Sequence, residues 1–204
     1  MAIFLMPVFI YTNKSPGNSG LLKKGGIIMT QTTNLRKTAP TRWLTVTALL
    51  MAINVVLSSY GLPVPGGHLY LNDVIICTAA ILLDPIGAFI VGGVGAFFGD
   101  LLLYPTPMFV SLVTHGVQSI VISICVRKLP LKSQVLRASI GVFLGAIIMV
   151  MGYSLGRAFL YSTVEYAILK LPFQILQAAV GAAVSIFLCF KCGLLKLWNR
   201  METV

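Results

Sequence analysis

The chain has 204 residues, 57% of them hydrophobic and 10% charged, with a mean hydropathy of +0.93. This composition excludes a soluble domain, and its continuous apolar runs exclude the alternating pattern of a transmembrane barrel; it fits an all-α integral membrane protein. The formal charge of +10 does not mark a nucleic-acid binder, because every Lys and Arg except Arg157 and Lys170 falls before the first apolar span, between the fourth and fifth, or after the last. That is the positive-inside pattern, which orients a chain and brings its cations to anionic lipid.

Residues 1–40 read as an N-terminal segment, partly disordered. Its apolar start, Met1–Tyr11, is too short to span and lacks the basic n-region of a signal peptide. The run Lys23-Lys24-Gly25-Gly26 precedes Met29, and purine-rich Lys and Gly codons can spell a bacterial ribosome-binding site. Met29 is therefore the expected natural start, behind an over-extended reading frame; an intact mass beginning at Met1 in protein from the native locus would refute this. The tetrad Gly17-Asn18-Ser19-Gly20 imitates a rhomboid-protease GxSG but lies in a polar tract.

Residues 41–195 read as a membrane domain of six transmembrane helices with both termini cytoplasmic, followed by a cytoplasmic tail, 196–204. Span one is expected at Trp43–Tyr60, about 27 Å at 1.5 Å per residue, with Ala48 and Ala52 one turn apart. An irregular extracytoplasmic loop, Gly61–Leu71, follows and carries His68 and Tyr70. Span two, Asn72–Leu83, is short, with Asn72 and Asp73 placed to cap it and Asp84-Pro85 to end it. Span three, Ile86–Tyr104, sets Ala88, Gly92, Ala96 and Asp100 on one face at four-residue steps. Span four, Met108–Val126, carries the stripe Ser111, His115, Ser119 and Ser123, with Gln118 beside it. After a cationic loop, Arg127–Arg137, span five (Ala138–Leu160) has the pairs Gly141/Gly145 and Gly152/Gly156, then Tyr153, Arg157 and Tyr161. An outer loop with Glu165 and Lys170 leads to span six, Pro172–Phe190, which opens with Gln174 and Gln177.

On this topology the polar side chains gather in the outer half of the membrane. Asp100, Tyr104, Ser111, His115, Tyr153, Arg157, Gln174 and Gln177 meet there, beneath His68 and Tyr70 of the loop, whereas the inner half stays apolar. Ionisable groups at membrane depth are default candidates for function. The chain reads as a cup open to the outside, since a channel would carry polar groups along its whole depth. Each residue also has a structural reading: Arg157 snorkels from a rim, the glutamines join helices, and Tyr60, Tyr104 and Tyr161 form an aromatic belt. No P-loop or HExxH motif is present. Cys77, Cys125, Cys189 and Cys192 lie in apolar segments, and the single CxxC lacks a second pair, so neither a metal nor another cofactor is implied. A cup without an engine suggests a binding subunit moved by partners, with an intramembrane enzyme or a small channel as the alternatives.

Residues 41–195 resemble the substrate-binding S components of energy-coupling factor (ECF) vitamin transporters. The resemblance rests on Ala48-xxx-Ala52, on the glycine-rich span DPIGAFIVGGVGAFFGDLL closing in Asp100-Leu101, and on six spans with a loop after the first. At one position the pattern differs: relatives often carry Lys where this chain has His115. The resemblance implies capture of a water-soluble vitamin or precursor outside the bacterial plasma membrane. It also implies a transmembrane T component contacting Ala48 and Ala52, two separate ATPase subunits, no catalysis by this chain itself, and a lid in Gly61–Leu71. The expected ligand is hydroxymethylpyrimidine or pyridoxine, with pantothenate next because of Arg157.

Overall fold

The computed structural model describes residues 35–203. The expectations for the start at Met29, the disorder before residue 35 and the Gly17–Gly20 tract lie outside the described residues.

A four-residue helical turn, Leu35–Thr38, precedes α1 (Pro40–Ser58). A hairpin, β1 (Gly61–Val64) and β2 (Gly67–Tyr70), leads to α2 (Asn72–Leu82). Then come α3 (Pro85–Leu103), α4 (Met108–Lys128), α5 (Gln134–Tyr161) and α6 (Val164–Lys191), and finally α7 (Leu194–Thr203). Among the described residues, α1, α3, α4, α5 and α6 are long and apolar enough to cross a membrane. The helix α2, with 11 residues, covers about 17 Å at 1.5 Å per residue, roughly half a hydrocarbon core. Around the bundle the neighbours run α1, α3, α4, α5, α6, α2 and back to α1, and α2 also packs on α4. The short helix is thus enclosed, with Ile76, Ala79 and Ala80 fully buried.

The boundaries differ from the sequence expectation for local physical reasons. The first helix starts at Pro40, three residues before Trp43, because proline at the first helical position has its φ preset and no amide to leave unpaired. The sixth begins at Val164, not Pro172; the proline lies inside it, and the segment thought to be a loop with Glu165 and Lys170 is helical. Apolar surroundings offer backbone groups no partner outside the helix, which offsets the bond proline removes. The segment Gly61–Leu71, expected to be irregular, is an antiparallel hairpin pairing Gly61 with Tyr70 and Val64 with Gly67. Its turn is Pro65-Gly66, where Gly66 takes φ +80°, a value that favours glycine. Residues 196–204, expected as a tail, fall largely within α7, whose Leu195 and Trp198 are buried in the apolar core.

That core fills the end of the bundle opposite the hairpin: Ile81, Leu82 and Leu83 meet Val91, Ile122, Val126, Val142, Cys189 and Trp198. The glycines of α5 let it lie close on α4, Gly145 against Ile122 and Gly152 against Thr114. At the same end Trp43 donates to Asp84 at 2.6 Å, and Arg127 donates to the Leu82 carbonyl at 2.8 Å. All four cysteines are free thiols; Cys77 and Cys189 are buried, Cys125 is half-buried and Cys192 exposed.

Candidate functional site

At the other end a cavity of about 410 Å³ lies beneath the hairpin, bordered by the start of α2 and α4, the end of α3 and α5, and the first half of α6. Of the ten side chains picked from the sequence, Asp100, Tyr104, His115, Tyr153, Arg157, Gln174, Gln177, His68 and Tyr70 border this cavity. The tenth, Ser111, is fully buried behind the wall. There it donates to Asp100 Oδ2 and accepts from the Tyr153 hydroxyl at 2.5 Å, so one serine ties α3, α4 and α5 together. The Tyr153 ring packs edge-on against His115, with centroids 5.2 Å apart.

A second network forms the deep wall. His115 Nδ1 lies 2.6 Å from Gln118 Oε1, and Gln118 Nε2 donates to Asp73 Oδ1 at 3.3 Å. Gln177 Nε2 donates to Asp73 Oδ2 at 2.6 Å and accepts the Tyr70 amide at 3.0 Å. Sequence reasoning placed Asn72 and Asp73 as helix caps. The structure corrects this: α2 has no side-chain cap, Asp73 collects two amide donors, and Asn72 donates to Ser58 at 3.3 Å. The two amides lower the desolvation cost of a carboxylate that is 1% exposed. Gly181 makes room for this junction, since a Cβ there would sit 2.7 Å from Asp73 Cβ.

The third set holds the hairpin down. Arg157 Nη1 donates to the Gly66 carbonyl at 2.9 Å, Lys170 Nζ donates to the His68 carbonyl, and Gln177 takes the Tyr70 amide. Arg157 opens a π-helical turn, Arg157–Tyr161, and its guanidinium lies 5.4 Å from the Tyr161 ring centre. Such widened turns recur at functional sites because they re-aim side chains. Gln174 donates to the Val150 carbonyl at 2.8 Å, which fixes its side chain between α5 and α6. Three lining residues, Asn72, Arg157 and Tyr161, each hold a buried polar atom without a partner among the described residues. Burial, with the nearby Asp100 charge adding, raises the Tyr70 phenol above its ordinary range, so it stands as a neutral donor.

Lys170 and Tyr166 border the cavity but were missed, and Tyr161 was assigned to an aromatic belt. A signal existed: Tyr166, Lys170, Gln174 and Gln177 follow at helical spacing, a stripe cut in two by starting the helix at Pro172. Ala48 and Ala52 are exposed on α1. Among the described residues no group of His, Cys, Asp and Glu could hold a metal ion.

The family model described as "ECF-type riboflavin transporter, S component" matches residues 39–192. A protein of Pyrococcus woesei, described as an uncharacterized protein in the gap 3' region, is 30% identical over 104 residues, covering 50% of this chain and 68% of that protein.

Proposed function

Because the chain belongs to the family of ECF-type riboflavin transporter S components, we propose that it captures a small hydroxylated nitrogen heteroaromatic outside the cell for ATP-driven uptake. Pyridoxine or hydroxymethylpyrimidine is the favoured ligand, and pantothenate is next. In this reading the membrane domain has six spans, the short α2 serving as the second beneath the extracytoplasmic hairpin, and both termini are cytoplasmic, in the plasma membrane of a bacterium. The chain is a binding subunit; ATP is hydrolysed by two separate ATPases, and the exposed Ala48 and Ala52 of α1 meet the T component.

The observation that carries the reading is the lining of the cavity. Five tyrosines and two histidines give it ring surface, Pro107 and Met149 add aliphatic surface, and Asn72, Asp100, Arg157, Lys170, Gln174 and Gln177 bring polar groups. Small-ligand pockets use aromatic faces for contact and a few oriented polar groups for specificity. A ring bearing hydroxyls on several edges suits such a wall. Arg157 and Lys170 keep spare donors after binding the hairpin, which supports pantothenate as the second choice.

The hairpin would close over the bound ligand, tied to α5 and α6 by three hydrogen bonds. Release would require breaking them, an event suited to a partner that moves the subunit. The test is titration of the purified chain in nanodiscs with pyridoxine, hydroxymethylpyrimidine, pantothenate and riboflavin. Submicromolar binding of one of the first two supports the reading. Binding of riboflavin alone would refute the substrate class, and uptake without a T component and ATPases would refute the reading as a binding subunit driven by partners.

A further inference from the structure

The hydrogen bonds of the deep wall have a fixed direction. Asp73, as a carboxylate, only accepts, and its two oxygens take Gln118 Nε2 at 3.3 Å and Gln177 Nε2 at 2.6 Å. The other proton of the Gln118 amide points at Cys77 Sγ, 3.8 Å away. Both donors of Gln118 are therefore used on that side, and its oxygen must be the atom facing His115 Nδ1 at 2.6 Å. An amide oxygen cannot donate, so the proton in that contact sits on Nδ1.

The second ring nitrogen, Nε2, makes no hydrogen bond among the described residues. It is not one of the enclosed polar atoms, and His115 borders the cavity, so Nε2 is the atom it turns to the cavity. A neutral ring carrying its proton on Nδ1 offers a lone pair there. Asp73 Oδ1 lies 3.8 Å from Nδ1, beyond hydrogen-bond reach, and both Asp73 oxygens are engaged by the amides, so Gln118 is the hydrogen-bond partner of Nδ1.

We propose that His115 Nε2 is a built-in hydrogen-bond acceptor at the deep end of the cavity, taking a hydroxyl or ring N–H donor from the ligand. Gln118 and Asp73 are the positioning residues that set its polarity without touching the ligand. The same carboxylate receives Gln177, which holds the Tyr70 amide of the hairpin, so the lid and the acceptor share one anchor. The inference rests on the reading of this cavity as the capture site and narrows the ligand to molecules with a donor at their leading edge.

Two measurements test it. The first is ¹⁵N NMR of ring-labelled histidine in the ligand-free full chain in nanodiscs. The chain holds two histidines, and comparison with His68→Asn assigns His115. A protonated Nδ1 and an unprotonated Nε2 are expected, the reverse of the tautomer a free histidine side chain prefers. A proton on Nε2, or on both nitrogens, overturns the proposal. The second is a cycle with pyridoxine and its analogues in which each hydroxyl in turn is capped as a methyl ether, which accepts but no longer donates. One cap should weaken binding at least tenfold in the native chain and less than threefold in His115→Ala. If every cap costs the same in both proteins, the acceptor is wrong. If no analogue binds the native chain at all, the substrate reading has failed instead, and the NMR result still decides the polarity of His115.

Discussion

Replacing Gly66 by alanine isolates the hairpin as the closing element. Gly66 sits at φ +80°, where an L-residue costs about 1–2 kcal/mol. The added Cβ would lie 3.1 Å from both the Cβ and the backbone nitrogen of Lys170, so the turn must also lift from α6. Lifting weakens the Arg157 bond to the Gly66 carbonyl, which is 2.9 Å long in the native chain. With 1.4 kcal/mol per factor of ten, the strain alone raises the open fraction of the hairpin about 5- to 30-fold. Hydrogen–deuterium exchange of the full chain in nanodiscs reads this directly, as a matching acceleration confined to amides of residues 61–70. Gly66→Asn separates the two causes, because asparagine tolerates the left-handed region better yet brings the same Cβ to Lys170. Unchanged exchange at the hairpin in Gly66→Ala would refute the view that this turn is seated on α6, and acceleration spread through α2 and α4 would show that the hairpin does not open independently.

Other outcomes follow from single contacts. Tyr153→Phe removes the donor to Ser111 while Ser111 keeps Asp100, so folding stability should fall by about 1 kcal/mol, the net worth of one bond, with ligand affinity nearly unchanged because that donor is spent inside the protein; a melting curve beside a calorimetric titration checks this. Trp198→Ala empties a site that is 4% exposed in the core and should cost about 3–5 kcal/mol, read as a large drop in melting temperature; a mere tail residue would give none. Ala48→Arg changes an exposed surface, so the isolated chain should bind ligand normally and fail to co-purify with the T component; an intact complex would remove α1 as the docking face.

Composition and the continuous apolar runs together decided that this is a helical membrane protein, because a chain so apolar can satisfy its backbone amides in lipid only through helices or a closed barrel, and barrel strands would alternate. The helix-period stripes then marked which faces carry polar atoms, and on them His115, Asp100, Tyr153 and Gln177 were legible as a group. The reading weakened where local rules met tertiary context. Proline at residue 172 ordinarily ends a helix, yet α6 runs through it, and that one misplaced boundary hid Lys170 and Tyr166 from the stripe they share with Gln174. The hairpin was obscured by its own prolines and glycines, which signal a turn without stating that the flanking residues pair. Above all, no pattern along the chain could show that Asp73 turns inward to two glutamines from α4 and α6 rather than capping α2. Residues 73, 118 and 177 are distant in sequence, and only the packing of α2 between α4 and α6 makes one carboxylate the meeting point of lid and pocket.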